Sequence, residues 1–187
     1  MITEAITKID LLIAGKMEKH PCLSGFLFFG LSEAITRRMN DETVFPVVVS
    51  ADCESNDVFV DDDFPGGIYH RLLSKQYLPA PKNAQYGDDK CQLPVADMIL
   101  VCWAFRDKIN AAADILEMIV YSGFPNHVTA ISSNFDRRSV FSGEFSGIPF
   151  NLPEDVMLFS MKYRIAFPAT DRNCINIDNF CLAFSEA

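Results

Sequence analysis

A chain of 187 residues with 49% hydrophobic residues and 16 phenylalanines has ample apolar material for one domain core, which excludes a disordered protein. A formal charge of −9 and a pI near 4.7 exclude a broad phosphate-binding surface, because nucleic-acid binding depends on neutralising phosphates with Lys and Arg. The six cysteines, at 22, 53, 91, 102, 174 and 181, are widely and irregularly spaced with no CxxC, so they read as reduced thiols rather than a disulfide framework.

Residues 3–18 predict an amphipathic helix, with Ile6, Ile9, Ile13 and Met17 at steps of three or four and Glu4, Lys8, Lys16 and Glu18 mostly opposite. His20-Pro21 ends it, since a residue before proline leaves the helical region. The same N-terminus has no basic leader region and no long apolar run, so neither a signal peptide nor a membrane span is expected and the product reads as soluble and intracellular. "GFLFFG" at 25–30 predicts a short buried strand. "LSEAITRRMND" reads as a helix surface on which Glu33, Arg37 and Arg38 form ion pairs. "FPVVVSAD" at 45–52 is β-branched and predicts a strand.

From about 53 to 94 no periodicity is visible, and the segment reads as a long irregular insertion, with "GIYHRLLSKQY" its best candidate for structure. "MILVCWAF", 98–105, predicts a central strand covered on both faces. Asp107 then caps a helix through "KINAAADILEMIVYS", which Gly123 and Pro125 stop. "HVTAISSNF", 127–135, predicts a strand, and the glycines of "SVFSGEFSGIPF", 139–150, suggest a bent or bulged strand. "MLFSMKYRIAF", 157–167, alternates as a half-buried antiparallel strand does. The tail after 167 has weak period-two character, fitting an edge strand. The order predicts a single α+β domain over 1–187: a mixed, mostly antiparallel sheet against two main helices, with the long insertion at about 53–94.

The strongest chemical candidate is "VFVDDDFPGG". Asp61, Asp62 and Asp63, with Asp52, Glu54 and Asp57, carry hard oxygen ligands suited to Mg²⁺ or Ca²⁺. The stretch lacks the alternating ligands and distal glutamate of a calcium loop, and consecutive aspartates point to opposite sides of an extended chain. A solvated acidic turn is therefore the preferred reading. A divalent-metal-dependent enzyme or small-ligand-binding protein using carboxylates at 52–63 is the alternative. His20, His70 and His127 show no zinc spacing, and His70 reads as a surface histidine. There is no GxSxG, no GxxxxGK[ST] and no GxGxxG. No catalytic residue, metal ligand or cofactor site is assigned. Phe26, Phe28, Phe29, Phe141, Phe145 and Phe150 lie in glycine-punctuated segments; core packing is the simpler reading, but such aromatics also suit a subunit interface.

Residues 3–18, 44–51, 98–122 and 139–167, including "FPVVVSAD" and "LPEDVMLFSMKYRIAF", follow in order the plan of bacteriophage tail-terminator (tail-completion, minor tail protein U-like) proteins, which this chain resembles. The resemblance implies a non-enzymatic structural subunit that forms a hexameric ring, caps the tail tube of a phage or related contractile injection apparatus, and meets neck proteins. It implies assembly in the bacterial cytoplasm, a final place in the virion tail, no membrane partner, and DNA at most passing through an acidic lumen. Asp61, Asp62, Asp63, Phe64, Phe141 and Phe145 are then the interface or lumen candidates. The chain is longer than the smallest members, with extra sequence at 20–43, 70–94 and 168–187.

Overall fold

The computed structural model describes residues 2–39, 43–50, 56–58, 60, 62–79, 92–109, 112–125, 128–147 and 152–167; readings that fall on 80–91 or beyond 167 lie outside them. The chain begins with helix α1 (Ile2–Met17) and a 3-10 turn at Pro21–Leu23, then forms strands β1 (Leu27–Met39), β2 (Thr43–Ser50), β3 (Asn56–Val58), β4 (Gly66–Pro79) and β5 (Gln92–Phe105). A short helix α2 (Arg106–Ile109) and helix α3 (Ala113–Ser122) follow, then β6 (Val128–Asn134), helix α4 (Arg137–Glu144) and β7 (Val156–Ala166). The strands form one sheet in the order β3-β2-β1-β4-β5-β7-β6. Every neighbouring pair is antiparallel except β1 and β4. The fold is α+β with a mixed, mostly antiparallel sheet.

β5 organises the packing. From Pro94 to Phe105 only Asp97 is not fully buried, so this strand is covered on both faces. Its even-numbered residues, Met98, Leu100 and Cys102 among them, join alternate β7 residues Phe159, Met161, Tyr163 and Ile165 against α1 and α3. Ile6, Ile9, Ile13 and Met17 of α1 are all buried there, as the helical spacing predicts. Each buried isoleucine contributes about 2 kcal/mol, more than the few tenths by which helix propensities differ. The odd-numbered residues Ile99, Val101, Trp103 and Phe105 form a second core with Tyr69, Val48, Val156, Leu158 and the apolar side of α4.

Four expectations change. "LSEAITRRM" is not a helix surface but the continuation of β1, which pairs with β2 from Ser32↔Ser50 to Met39↔Thr43; cross-strand packing on a β-branched partner overrides local helix preference. The stretch 53–94 is more regular than its lack of periodicity suggests, since it holds β3, the fourteen residues of β4 and the start of β5. Segment 139–150 does not continue as a bulged strand, because α4 occupies Arg137–Glu144. Asp136 caps that helix by accepting the Arg138 N–H at 3.2 Å, and Gly147 takes the positive φ of 84° just beyond it. The last helix before β6 comes in two pieces, with Asp107 in α2 accepting the Lys108 N–H at 2.8 Å and Gly123 ending α3.

In β7 the alternation appears from Met161 onward, whereas Leu158 to Met161 are all buried because both cores cover that half. α1 and α3 approach closely where Gly123 faces Ile13: a Cβ on Gly123 would lie 2.3 Å from Ile13 Cγ1. Its φ of −74° is open to any residue, so the constraint is steric alone. Gly123→Ala is expected to lower stability in urea unfolding by about 1–3 kcal/mol. The same substitution made in an Ile13→Ala background should cost measurably less, giving a favourable coupling in the double-mutant cycle.

Candidate functional site

The acidic stretch leads directly into β4. Asp62 and Asp63 are exposed, and the Asp62 carbonyl accepts a hydrogen bond from the Lys108 ammonium, which also lies 4.9 Å from the centroid of the Phe105 ring. The Pro65 carbonyl accepts the Phe105 N–H at 3.0 Å, tying the turn to the end of β5. Gly66 and Gly67 then pass so close to β5 that a Cβ would lie 2.4 Å from the Trp103 carbonyl oxygen in the first case and 2.7 Å from its indole nitrogen in the second. Phe64 is half-buried against the second core. "DDFPGG", 62–67, is thus an anchored turn whose glycines admit Trp103. Asp61 lies outside the described residues. Among the described residues no three His, Cys, Asp or Glu side chains gather as a metal site.

Phe141 and Phe145, expected as interface or lumen candidates, are buried inside this chain, at 2% and 1% exposure, with ring centroids 5.2 Å apart. Phe141 lies on α4 and Phe145 caps its end one helical turn later, so their burial in the second core is what docks that helix. Polar groups fasten it at both ends. Arg137 at its start donates to the carbonyls of Leu152, Pro153, Glu154 and Val156 at 3.0–3.2 Å. Glu144 at its end accepts Arg71 Nε and Nη2 at 2.9 and 2.7 Å and the Tyr69 hydroxyl at 3.0 Å. Burial, reinforced by the Glu144 charge, holds the Tyr69 phenol well above its ordinary pKa, and the Glu144 hydrogen bond raises that of Arg71.

His70 is a correction to the surface reading: it is 0% exposed in the heart of the sheet. Its Nδ1 lies 2.6 Å from the Tyr163 hydroxyl and its Nε2 lies 2.9 Å from Asp10 Oδ1. A ring carrying its proton on Nε2 satisfies both contacts, accepting from Tyr163 and donating to Asp10. Burial, with the Asp10 charge adding to it, raises the Tyr163 pKa well above its ordinary value, which keeps the hydroxyl proton in place. Asp10 is the single buried carboxylate of α1, so this chain of bonds fixes the helix to β4 and β7. The three groups sit within packed core and tie α1 to the sheet there.

Toward the far end of the second face, a bulge at Leu73 brings Ser74 opposite Asp97. Arg164 donates to both Asp97 oxygens at 2.6 and 2.9 Å, while the Ser74 hydroxyl donates at 3.3 Å. The Arg164 hydrogen bond is the main reason the Asp97 carboxyl stays below its ordinary pKa.

β1 and β2 form a hairpin that parts from the rest of the sheet. β1 pairs with β4 only between Leu27↔Gly67 and Leu31↔His70, and beyond that its described pairing is with β2 alone. The sheet therefore forks, with β1–β2 as one arm and β4–β5 as the other. Ile35 on the first arm is 39% exposed. On the partner strand Val47 and Val48 are buried, and Val48 joins Ala34 in the second core. No helix among the described residues is long and apolar enough to cross a membrane. Comparison with protein-family models gives no match, and comparison with curated proteins gives none either.

Two consequences are measurable. His70→Leu strands the Asp10 carboxylate and Tyr163 hydroxyl in the core, and should cost about 3 kcal/mol in urea unfolding, against about 1 kcal/mol for Tyr163→Phe. Asp97→Asn acts through pH. The folded carboxyl binds its proton less tightly than the unfolded one, so the pair stabilises above the ordinary carboxylate pKa of about 4. That contribution disappears as pH falls through the lower folded value. The variant should melt below the wild type at pH 7, with the gap closing in acid.

Proposed function

We propose that this chain is a non-enzymatic structural subunit that assembles with copies of itself, of the kind that forms the ring closing a phage tail tube or a related injection apparatus. The observation that carries the reading is the forked sheet. A hairpin whose eight cross-strand pairs continue past the last β1–β4 pair places Ala34 and Val48 against this chain's second core and carries its remaining pairs out beyond the β1–β4 ladder. Its partly exposed Ile35 gives a neighbouring copy apolar surface to cover, and open strand edges are sites for further pairing. Leu11, Leu12, Met118 and Tyr121 add exposed apolar surface on the helical layer.

The order of helix, hairpin, central strand, helix and closing strand supports the resemblance to tail terminators, in which the ring is hexameric and meets tail-tube and neck proteins. A head-to-tail contact between unlike surfaces closes into such a ring when its rotation permits. The exposed carboxylates of Asp62 and Asp63 suit a channel-facing turn, where negative charge lets DNA pass without adhering. In this reading the protein is made in the bacterial cytoplasm and ends in the virion tail, and its action is by shape and contact.

Sedimentation and light scattering over a range of concentrations test it. The expected result is self-association that grows with concentration, with rings visible by electron microscopy. Ile35→Glu should shift the equilibrium toward monomer while leaving the circular dichroism spectrum unchanged. A strictly monomeric wild type at every concentration overturns the proposal.

A further inference from the structure

α4 is only eight residues long and covers part of the second sheet face, leaving a cleft of about 320 Å³ beside it. The strand register determines its floor. Arg71 stands opposite Ile99, Ile99 opposite Lys162, and Lys162 opposite Ser132, so these four side chains form one row across β4, β5, β7 and β6. In the adjoining row Ser160 stands opposite Asn134. α4 forms the wall with Ser139, Val140, Gly143 and Glu144, and a Cβ at Gly143 would meet nothing within 4 Å, so this stretch of wall is open.

The charge balance of this cleft is the reverse of the chain's. Both Glu144 oxygens are already engaged by Arg71 and Tyr69. Lys162 has no hydrogen-bond or ion-pair partner among the described residues, and neither Ser132 nor Ser160 has one there. Ser160 is 5% exposed and lines the cleft. Arg71 and Lys162 against Glu144 leave one uncompensated positive charge in a protein whose formal charge is −9.

We propose that this cleft binds a small oxyanion, a carboxylate or phosphate group with hydroxyls beside it. Lys162 Nζ is the charged donor, with the Ser132 and Ser160 hydroxyls as neutral donors; the Asn134 amide is engaged in the wall, donating to Ser139 Oγ at 3.1 Å and accepting the Asp136 N–H at 3.0 Å. Charge-assisted hydrogen bonds of this kind are about twice as strong as neutral ones. Ile99, Leu73 and Val140 keep one side of the cleft apolar, which lowers the local dielectric and strengthens the contact. The volume fits the lower end of small-molecule sites, about 300 Å³ and upward. The oxyanion has two possible sources, a free small molecule or an acidic side chain of a second copy. The site does not depend on the ring reading above.

The test is an amide chemical-shift titration of the full ¹⁵N-labelled chain with inorganic phosphate and with gluconate at constant ionic strength. Saturable shifts are expected at 71–73, 132–134, 139–144 and 160–162. Lys162→Gln should weaken binding about tenfold, the loss of one charge-assisted bond. Ser160→Ala should weaken it less, and Lys8→Gln on the opposite helical layer should leave it unchanged. If the same amides move on concentrating the protein alone and phosphate reverses the change, the site is supported and its oxyanion comes from a second copy. Shifts that never saturate, or that persist equally in Lys162→Gln with the fold intact, overturn the proposal.

Discussion

A strand that is apolar on both sides cannot be stable in a single layer, and β5 imposes that condition on everything around it. From Pro94 to Phe105 it demands cover above and below the sheet. On one side α1 and α3 meet the demand with a continuous isoleucine and leucine surface. On the other side cover comes from α4 and from the side chains of β1 and β2 that reach over, chiefly Phe29 and Val48. Because α4 is short, apolar cover stops partway, and the rest of the second face must be polar. That is where Arg71, Lys162, Asp97 and Arg164 stand.

Two of the covering helices, α1 and α4, are held by apolar contact and also by a specific polar bond. α1 has Asp10 on His70, and α4 has Glu144 on Arg71 and Tyr69, with Arg137 holding the loop before β7. Apolar surfaces alone tolerate sliding, whereas a bidentate carboxylate–guanidinium pair has one geometry. We read these bonds as setting the position of each helix while burial supplies most of the energy.

Elements with a one-sided or fully buried pattern were legible in the sequence: α1, β5 and β7 follow from spacing alone. The errors have a shared cause, the absence of a periodic core to betray the element. β4 is written "GGIYHRLLSKQYLP", and its bulge at Leu73 breaks the alternation midway, so the strand reads as irregular. The helix α4 was hidden by Gly143 and by its exposed outer side, although Asp136 with Val140, Phe141 and Phe145 gave an N-cap and an apolar stripe. His70 carried no local signal at all, since its partners are 60 and 93 residues away in the chain. The cleft row likewise depends on register among four strands, which no local pattern specifies.

Trp103 is the one tryptophan of the chain. It is fully buried on the second face, with Gly67 beneath its indole and Phe105 edge-on at 5.9 Å, and its N–H has no partner among the described residues. An indole in such dry surroundings emits at the blue end of its range and shifts red when water reaches it. The molecule therefore carries a single optical reporter seated in one of its two cores. Fluorescence will follow the undocking of α4 separately from the helical layer of α1 and α3, whose loosening circular dichroism records.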